Sequence, residues 1–359
     1  MSDAFYDFGK DLLFALPTEQ AHNLAIRALS SGYGPRPDIP YDSRLSSTVA
    51  GLKFSNPLGM AAGFDKNARA VPGLFRLGFG AVEIGSVTPK AQEGNPAPRL
   101  YRLPGHRAII NRMGFNNEGH AEVLSRLRGK SPKGILGVNI GANKDSEDRI
   151  GDYVTGIKVF NEVADYFTAN ISSPNTPGLR SLQTRQSLKE LFERILEERD
   201  RQPVRRPVFL KIAPDLAEDE IDAIAEESVA REIDGIVISN TTLSRREVEG
   251  ARNAGQAGGL SGRPVFLRST IVLAKMRARV GPDMPLIGVG GIESAETAAE
   301  KMRAGADLIQ IYTGFIYGGP MLPVRILDGL KEICEREGLE SLSAIRDTKT
   351  AGYAARPLE

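Results

Sequence analysis

The chain has 359 residues, 41% of them hydrophobic, and a formal net charge of +1, which suits one large α/β domain or two smaller ones. The balanced charge argues against attraction of the whole chain to nucleic acid. One cysteine, Cys334, excludes an internal disulfide framework, and His22, His106 and His120 lack metal-ligand spacing. We therefore expect neither a nucleic acid partner nor a metal.

The N-terminal segment has the pattern of two short amphipathic helices. Apolar residues including Phe5, Phe8 and Leu12 recur at helical spacing, and Pro17 ends the run. Thr18 can cap a second helix with an apolar face, and a Gly- and Pro-rich linker follows it. No segment is long and apolar enough to span a bilayer.

This pattern divides the chain into three parts. We expect a helical module at 1–40, a main domain at 41–340, and a polar tail at 341–359 that is frayed or extended over the surface.

The main domain alternates apolar, strand-like runs with helical patterns. Alternation of this kind predicts parallel strands with helical crossovers, and eight runs indicate a (β/α)8 barrel. The predicted strands are Pro57–Ala62, Ala81–Gly85, Gly134–Ile140, Tyr166–Ile171, Val208–Ile212, Gly235–Ser239, Leu286–Val289 and Leu308–Tyr312. The clearest predicted helices are Ser187–Arg199, Glu218–Arg231, Pro264–Val280 and Ala295–Ala304.

Polar and glycine residues follow the ends of these strands. In a barrel all such ends meet at one face. After the fourth strand, Pro174 and Pro177 stiffen a loop that carries Asn170 and Asn175. The Gly290-Gly291 turn after the seventh strand, with Thr313 after the eighth, suits a phosphate. These ends therefore predict a binding or catalytic site.

Two lysines and several asparagines indicate the kind of ligand. Lys66 and Lys211 follow or end buried strands, where a cation is costly without an anion or an electron-rich ring beside it. They could hold a carboxylate substrate and a reduced cofactor ring. Asparagine side chains both donate and accept hydrogen bonds, which suits a planar ring with carbonyl and N–H groups. The relevant asparagines are Asn111, Asn139, Asn170, Asn175 and Asn240.

The loops, read in order, resemble those of the dihydroorotate dehydrogenases, in particular the quinone-dependent class 2 enzymes. The resemblance extends from the helical module to Gly319. It rests on the motifs at 56–66, 83–89, 111–116, 170–180 and 259–264. It implies a (β/α)8 barrel that binds FMN and oxidises dihydroorotate to orotate in pyrimidine synthesis.

The resemblance also implies roles for individual residues. The implied FMN contacts are Ala62, Gly63, Lys66, Ser86, Asn139, Asn170, Lys211, Ser239, Gly262, Gly291, Tyr312 and Thr313. The implied substrate contacts are Lys66, Asn111, Arg112, Met113, Gly114, Phe115, Asn170, Asn175, Asn240 and Thr241. Ser173 matches the catalytic base. His22, Arg102 and Tyr312 match positions that line a quinone tunnel.

Class 2 is indicated by two features. Ser173 stands where the soluble class 1 enzymes carry cysteine, and those enzymes lack the N-terminal module. In class 2 this module rests on the membrane, so the resemblance implies peripheral attachment to the cytoplasmic face of the inner membrane.

The expected reaction removes a proton from C5 of dihydroorotate and a hydride from C6. A serine hydroxyl is a weak base, so we expect a proton relay through Thr176 and a water, shielded by Phe115.

Three alternatives stay open from the residues alone. The first is a class 1 enzyme that passes electrons to fumarate or NAD. The second is a phosphate-binding aldolase or isomerase with Lys211 as a Schiff-base lysine. The third is a membrane-docking scaffold without catalysis.

Overall fold

The structure, a computed structural model, describes residues 13–32, 36–130, 132–176 and 178–358. Residues 13–15 are helical. The rest of the first predicted helix, including Phe5, Phe8 and Leu12, lies outside the described residues.

The described strands form a barrel and two small sheets. In chain order they are β1 (Ser47–Val49), β2 (Leu52–Phe54), β3 (Leu58–Met60), β4 (Ala81–Val87), β5 (Leu100–Leu103), β6 (Ala108–Asn111), β7 (Ile135–Ile140), β8 (Tyr166–Asn170), β9 (Val208–Ile212), β10 (Gly235–Ile238), β11 (Gly259–Gly262), β12 (Leu286–Val289) and β13 (Leu308–Ile311).

The described α-helices lie mainly between the barrel strands. They are α1 (Thr18–Ser30), α2 (Val71–Arg76), α3 (Gly119–Leu127), α4 (Arg149–Phe160), α5 (Arg185–Arg201), α6 (Glu218–Ala230), α7 (Phe266–Val280), α8 (Ala295–Arg303), α9 (Thr313–Gly318), α10 (Leu322–Arg336) and α11 (Thr350–Ala354).

Eight parallel strands close the barrel in the order β10-β12-β13-β3-β4-β7-β8-β9. Each overlaps one of the eight predicted runs, so the predicted (β/α)8 barrel is confirmed. The strand residues are almost all buried, because helices cover the outer face of the barrel and the strands' own side chains fill its interior. The four clearest predicted helices match α5, α6, α7 and α8 within two residues at each end.

A short antiparallel hairpin, β1–β2, closes the amino-terminal end of the barrel. Val49 and Phe54 of the hairpin are buried in one apolar cluster with Tyr166 and Phe209 from the barrel strands. This plug fills the barrel interior from below, which leaves the carboxyl ends of the strands as the open side.

An antiparallel sheet of β5, β6 and β11 lies over the open side, and sequence reasoning missed it. Its strands have four residues each, too few to show a clear alternating pattern. Ile109 and Asn111 of β6 pair with Ser261 and Gly259 of β11. The sheet therefore brings β6 and β11 together as one wall above the barrel mouth.

Helix α1 packs beside this sheet and against α2. The backbone of Leu29 lies so close to Gly73 that a side chain there would strike it. Glu19 of α1 forms an ion pair with Arg99 at 2.6 Å. Leu24, on the outer side of α1, is 48% exposed. None of the described helices is long and apolar enough to cross a membrane.

The C-terminal segment corrects one expectation. We expected residues 341–359 to be frayed or extended, but Leu342 and Ile345 are almost fully buried. Helix α11 packs against α7, and the Tyr353 hydroxyl donates to Glu300 at 2.8 Å. The segment is polar overall, yet its few apolar residues are spaced to anchor it.

Candidate active site

One cavity lies at the carboxyl ends of the barrel strands, under the β5–β6–β11 sheet. Lys66, Lys211 and Ser173, which come from three different loops or strands, all line it. The other predicted site residues that line the cavity are Ala62, Gly63, Ser86, Asn111, Met113, Gly114, Phe115, Asn170, Asn175, Ser239, Asn240, Thr241, Gly262, Gly291, Tyr312 and Thr313. The structure therefore brings most of the predicted site together.

Of the residues predicted for FMN, the substrate or the proton relay, three do not line this cavity. The Arg112 guanidinium donates to the Pro98 carbonyl at 2.9 Å and to Gln256 at 3.1 Å, outside the cavity. Asn139 lies one layer below the wall, where it accepts a hydrogen bond from the Ser86 hydroxyl. Thr176 is buried behind the loop of Ser173.

Hydrogen bonds hold the asparagine side chains in fixed orientations. Asn175 Nδ2 donates to Asn111 Oδ1 at 3.1 Å, which joins two loops on one side of the cavity. Asn240 Nδ2 donates to Asn170 Oδ1 at 3.2 Å and to Ser172 Oγ at 3.1 Å. Such mutual bonds preorganise donors and acceptors for a planar polar ligand.

Two polar atoms of the cavity residues lack protein partners. Thr241 Oγ1 and Gln310 Oε1 are buried, and neither has a hydrogen-bond partner among the described residues. A buried polar atom without a partner costs about 1–3 kcal/mol. A polar ligand in the cavity would remove this cost, so the two atoms mark it as a binding site.

Both lysines of the site sit in surroundings that disfavour charge. Burial lowers the pKa of Lys66 from 10.5 to about 8, and nearby Glu19 partly opposes this. Burial also lowers the pKa of Lys211, and the negative charge of Glu83 opposes the change. An anionic ligand beside either amine would raise its pKa and favour its charged form.

The hydroxyl of Ser173 is buried at the cavity wall and accepts a hydrogen bond from the Asn175 backbone at 3.2 Å. Thr176 Oγ1, three residues along, has no hydrogen-bond partner in the described part of the chain. Phe115, with φ at 54°, lines the same cavity and lies close to Gly141. Ser173 and the Phe115 ring thus line the same cavity.

A buried glutamate, Glu83, was missed as a site residue. It lies in β4, with no exposed surface, below the cavity. Asn139 Nδ2 donates to it at 2.8 Å, the Thr168 hydroxyl at 3.0 Å and Gln310 Nε2 at 2.9 Å. The sequence did carry a signal for Glu83, because it is a lone carboxylate inside an apolar strand. A buried carboxylate is rare unless it has a partner.

The turn after β12 has a backbone that favours glycine, and both of its glycines line the cavity. Gly290 and Gly291 have φ of 113° and 73°, values that disfavour other residues. A Cβ on Gly291 would lie 2.5 Å from the Phe266 Cβ at the start of α7. Nearby, the hydroxyls of Ser261 and Thr313 are 2.8 Å apart.

A second, mainly apolar groove lies between α1 and the barrel. His22, Arg102, Phe14 and Leu29 are among its lining residues. The Arg102 guanidinium donates to the Phe14 carbonyl at 3.0 Å and lies 4.7 Å from the centre of its ring. Burial, with the charge of Lys66 as a smaller cause, lowers the pKa of His22 to about 3, so its imidazole is neutral at pH 7.

The groove and the cavity are neighbours. Leu100 and Ile109 line both of them. Phe64 makes edge-to-face contacts with His22 on the groove side and Tyr312 on the cavity side, with ring centroids 5.4 and 5.8 Å apart. Thus of the three predicted tunnel residues, His22 and Arg102 line the groove and Tyr312 lines the cavity.

Comparison with known proteins identifies the family. The dihydroorotate dehydrogenase family model matches residues 44–334. The chain is 58% identical to dihydroorotate dehydrogenase (quinone) of Brucella anthropi and 57% identical to that of Brucella ovis, over 363 aligned residues covering all of each chain.

Solved structures agree with this assignment. Ligand-free DHODH from Eimeria tenella superposes with a TM-score of 0.89 at 36% identity, covering 95% of this chain and all of that one. The complex of the Eimeria tenella protein with ferulenol superposes with a TM-score of 0.88 at 36% identity, covering 92% of this chain and 95% of that one. Family model, full-length relatives and fold agree, and the chain belongs to the dihydroorotate dehydrogenase family.

Proposed function

We propose that this protein oxidises dihydroorotate to orotate in pyrimidine biosynthesis, with FMN as hydride acceptor and a membrane quinone as final electron acceptor. The observation that carries the proposal is the cavity shared by Lys66, Lys211 and the Ser173 loop. The full-length relatives named as quinone enzymes support the choice of acceptor.

The chemistry of the cavity suits FMN. Gly290 and Gly291 offer a close backbone approach for its phosphate, and Thr313 offers a hydroxyl nearby. Lys211 supplies a positive charge for the ring, and Gln310 Oε1 is a buried acceptor without a partner. Bound FMN supplies a two-electron acceptor for the hydride from C6 of dihydroorotate.

The remaining groups suit dihydroorotate. Lys66 would neutralise the substrate carboxylate, and Asn111, Asn175 and Asn240 would bind the ring carbonyl and N–H groups. The unpaired hydroxyl of Thr241 adds a further polar contact. These groups would hold C6 toward the cofactor and C5 toward Ser173.

Ser173 is the proposed base for the C5 proton. Its hydroxyl accepts the Asn175 N–H, a bond that favours a developing alkoxide. The buried Thr176 hydroxyl, which has no partner among the residues that the structure describes, is available to pass the proton onward through a water. Phe115 would keep bulk water from the reacting carbon.

The α1 groove is the proposed quinone entry. Its apolar lining and its contact with the cavity through Phe64 support electron transfer over a short distance. The exposed Leu24 on α1 supports peripheral contact of the 1–40 module with the cytoplasmic face of the inner membrane.

Replacing Ser173 by Ala removes the base but leaves the carboxylate and amide contacts. We expect flavin reduction by dihydroorotate, measured by stopped-flow absorbance, to slow by about 100-fold or more, with a change below about threefold in substrate affinity. Ser173→Cys should retain part of the rate. The exposed Ser181→Ala is the control, and a normal rate in Ser173→Ala would exclude the proposed role.

Orotate affinity should depend on the charge of Lys66. As pH rises through about 8, Lys66 loses its proton and the ligand carboxylate loses its cationic partner. We expect the Kd of orotate, measured by flavin difference spectra, to rise up to tenfold per pH unit above that value.

Lys66→Arg is the matched control because its guanidinium stays charged across this range. Its Kd should stay flat with pH. The same alkaline weakening in both proteins would assign the titration to another group.

The N-terminal module should serve only the quinone step. Deleting residues 1–44 should spare flavin reduction by dihydroorotate and abolish quinone reduction. Ala25→Phe, which fills the α1 groove without removing the module, should slow quinone reduction in the same selective way. Equal loss of both half-reactions in both variants would make the module merely structural.

A further inference from the structure

Glu83 lies in the interior of the barrel, below the cavity, and every hydrogen bond it makes is one it accepts. Asn139 binds one carboxylate oxygen, and Tyr166, Thr168 and Gln310 bind the other at 2.9–3.0 Å. The four donors come from β7, β8 and β13. Such a set of donors matches a negatively charged carboxylate, which accepts but cannot donate.

This carboxylate determines the orientation of a chain of side chains. Because Glu83 offers only acceptors, Asn139 must turn its Nδ2 toward it and its Oδ1 toward Ser86, whose hydroxyl donates in return. Ser86 Oγ then accepts from Asn170 Nδ2 at 3.0 Å. Asn170 Oδ1 is thereby left to accept from Asn240 Nδ2 at 3.2 Å.

Three of the four side chains in this hydrogen-bonded series reach the cavity. Ser86, Asn170 and Asn240 line the cavity, while Asn139 stands between them and Glu83. A reversal of the Asn139 amide would set its Oδ1 against the Glu83 carboxylate and its Nδ2 against the Ser86 hydroxyl, and would unsettle each following bond. The direction of the proposed ligand-binding amides is thus fixed from below the site.

Glu83 also acts on Lys211, which is 5% exposed and lines the cavity from β9. Burial of the amine disfavours its charged form, and the negative charge of Glu83 opposes that effect. No direct ion pair joins the two among the described residues, so the carboxylate acts as a nearby charge. The negative charge of Glu83 therefore favours the cationic form of Lys211 beside the ligand.

We propose that Glu83 is a positioning residue for the flavin and substrate: it places a negative charge near Lys211 and sets the hydrogen-bond direction from Asn139 through Ser86 and Asn170 to Asn240. The inference rests on the proposed function, since the groups that Glu83 orients are those assigned to FMN and dihydroorotate.

Glu83→Gln tests it, because the substitution keeps the shape but removes the charge and turns a donor toward either Asn139 or the other three donors. We expect the equilibrium constant for flavin reduction to fall about tenfold. This lowers the reduction potential by about 30 mV for a two-electron couple. We also expect flavin reduction at saturating dihydroorotate to slow about tenfold, with KM changed less than threefold. The potential is measured by dye equilibration and needs no dihydroorotate.

Thr168→Val is the matched control. It removes one hydrogen bond to the same carboxylate without removing the charge or touching the Asn139 chain. The equilibrium between its oxidised and reduced flavin should stay within twofold of that in the wild type. Equal shifts in both variants would mean that any disturbance of the cluster acts alike, and would overturn the inference.

If Glu83→Gln binds no flavin, Glu83→Asp decides the matter. It keeps the charge near Lys211 but draws the carboxylate away from Asn139. Flavin reduction at least threefold slower at an unchanged potential supports the inference, and a wild-type rate overturns it. Wild-type protein without FMN would instead refute the proposed function.

Discussion

Closure of eight parallel strands is the constraint on which the site depends. In a closed barrel every strand ends at the same mouth, so residues far apart in sequence must meet there. Lys66, Ser173 and Lys211 follow or end three different strands, and closure alone brings them to one cavity. The β1–β2 hairpin fills the opposite end, and the β5–β6–β11 sheet covers the open one.

The polar interior of the barrel follows from the same closure. A barrel of this size is filled by side chains, and here several of them are polar. Glu83 and Lys211 place opposite charges under one cavity, where each would be costly alone. The four hydrogen bonds to Glu83 compensate its burial, and Lys211 lines the cavity where a ligand can reach it. Charge is therefore buried where the proposed chemistry would use it.

Much of this could be predicted from the sequence, because the strands and long helices carry strong periodic patterns. The β5–β6–β11 sheet could not, since its four-residue strands pair only through long-range contacts. Glu83 was missed because a sequence does not show which way a strand residue points. The anchoring of the tail by Leu342 and Ile345 likewise depends on a surface made by distant elements.

The two adjoining cavities differ in their lining. The inner one is lined by polar as well as apolar side chains and the outer groove mainly by apolar ones, with Phe64 between them. This arrangement suits a small polar substrate on one side of a flavin and a hydrophobic acceptor on the other. Helix α1 lines the groove, so under the proposed function the N-terminal module and the barrel would act on successive steps.

Anaerobic titration of the purified protein with dihydroorotate, followed by addition of a quinone, tests the account most directly. The account predicts a yellow protein in which one equivalent of dihydroorotate bleaches one equivalent of flavin. A quinone should then restore the colour, and fumarate or NAD should not. A colourless protein, or a flavin that dihydroorotate leaves oxidised, would contradict the central claim that the strand ends form one site for flavin and substrate.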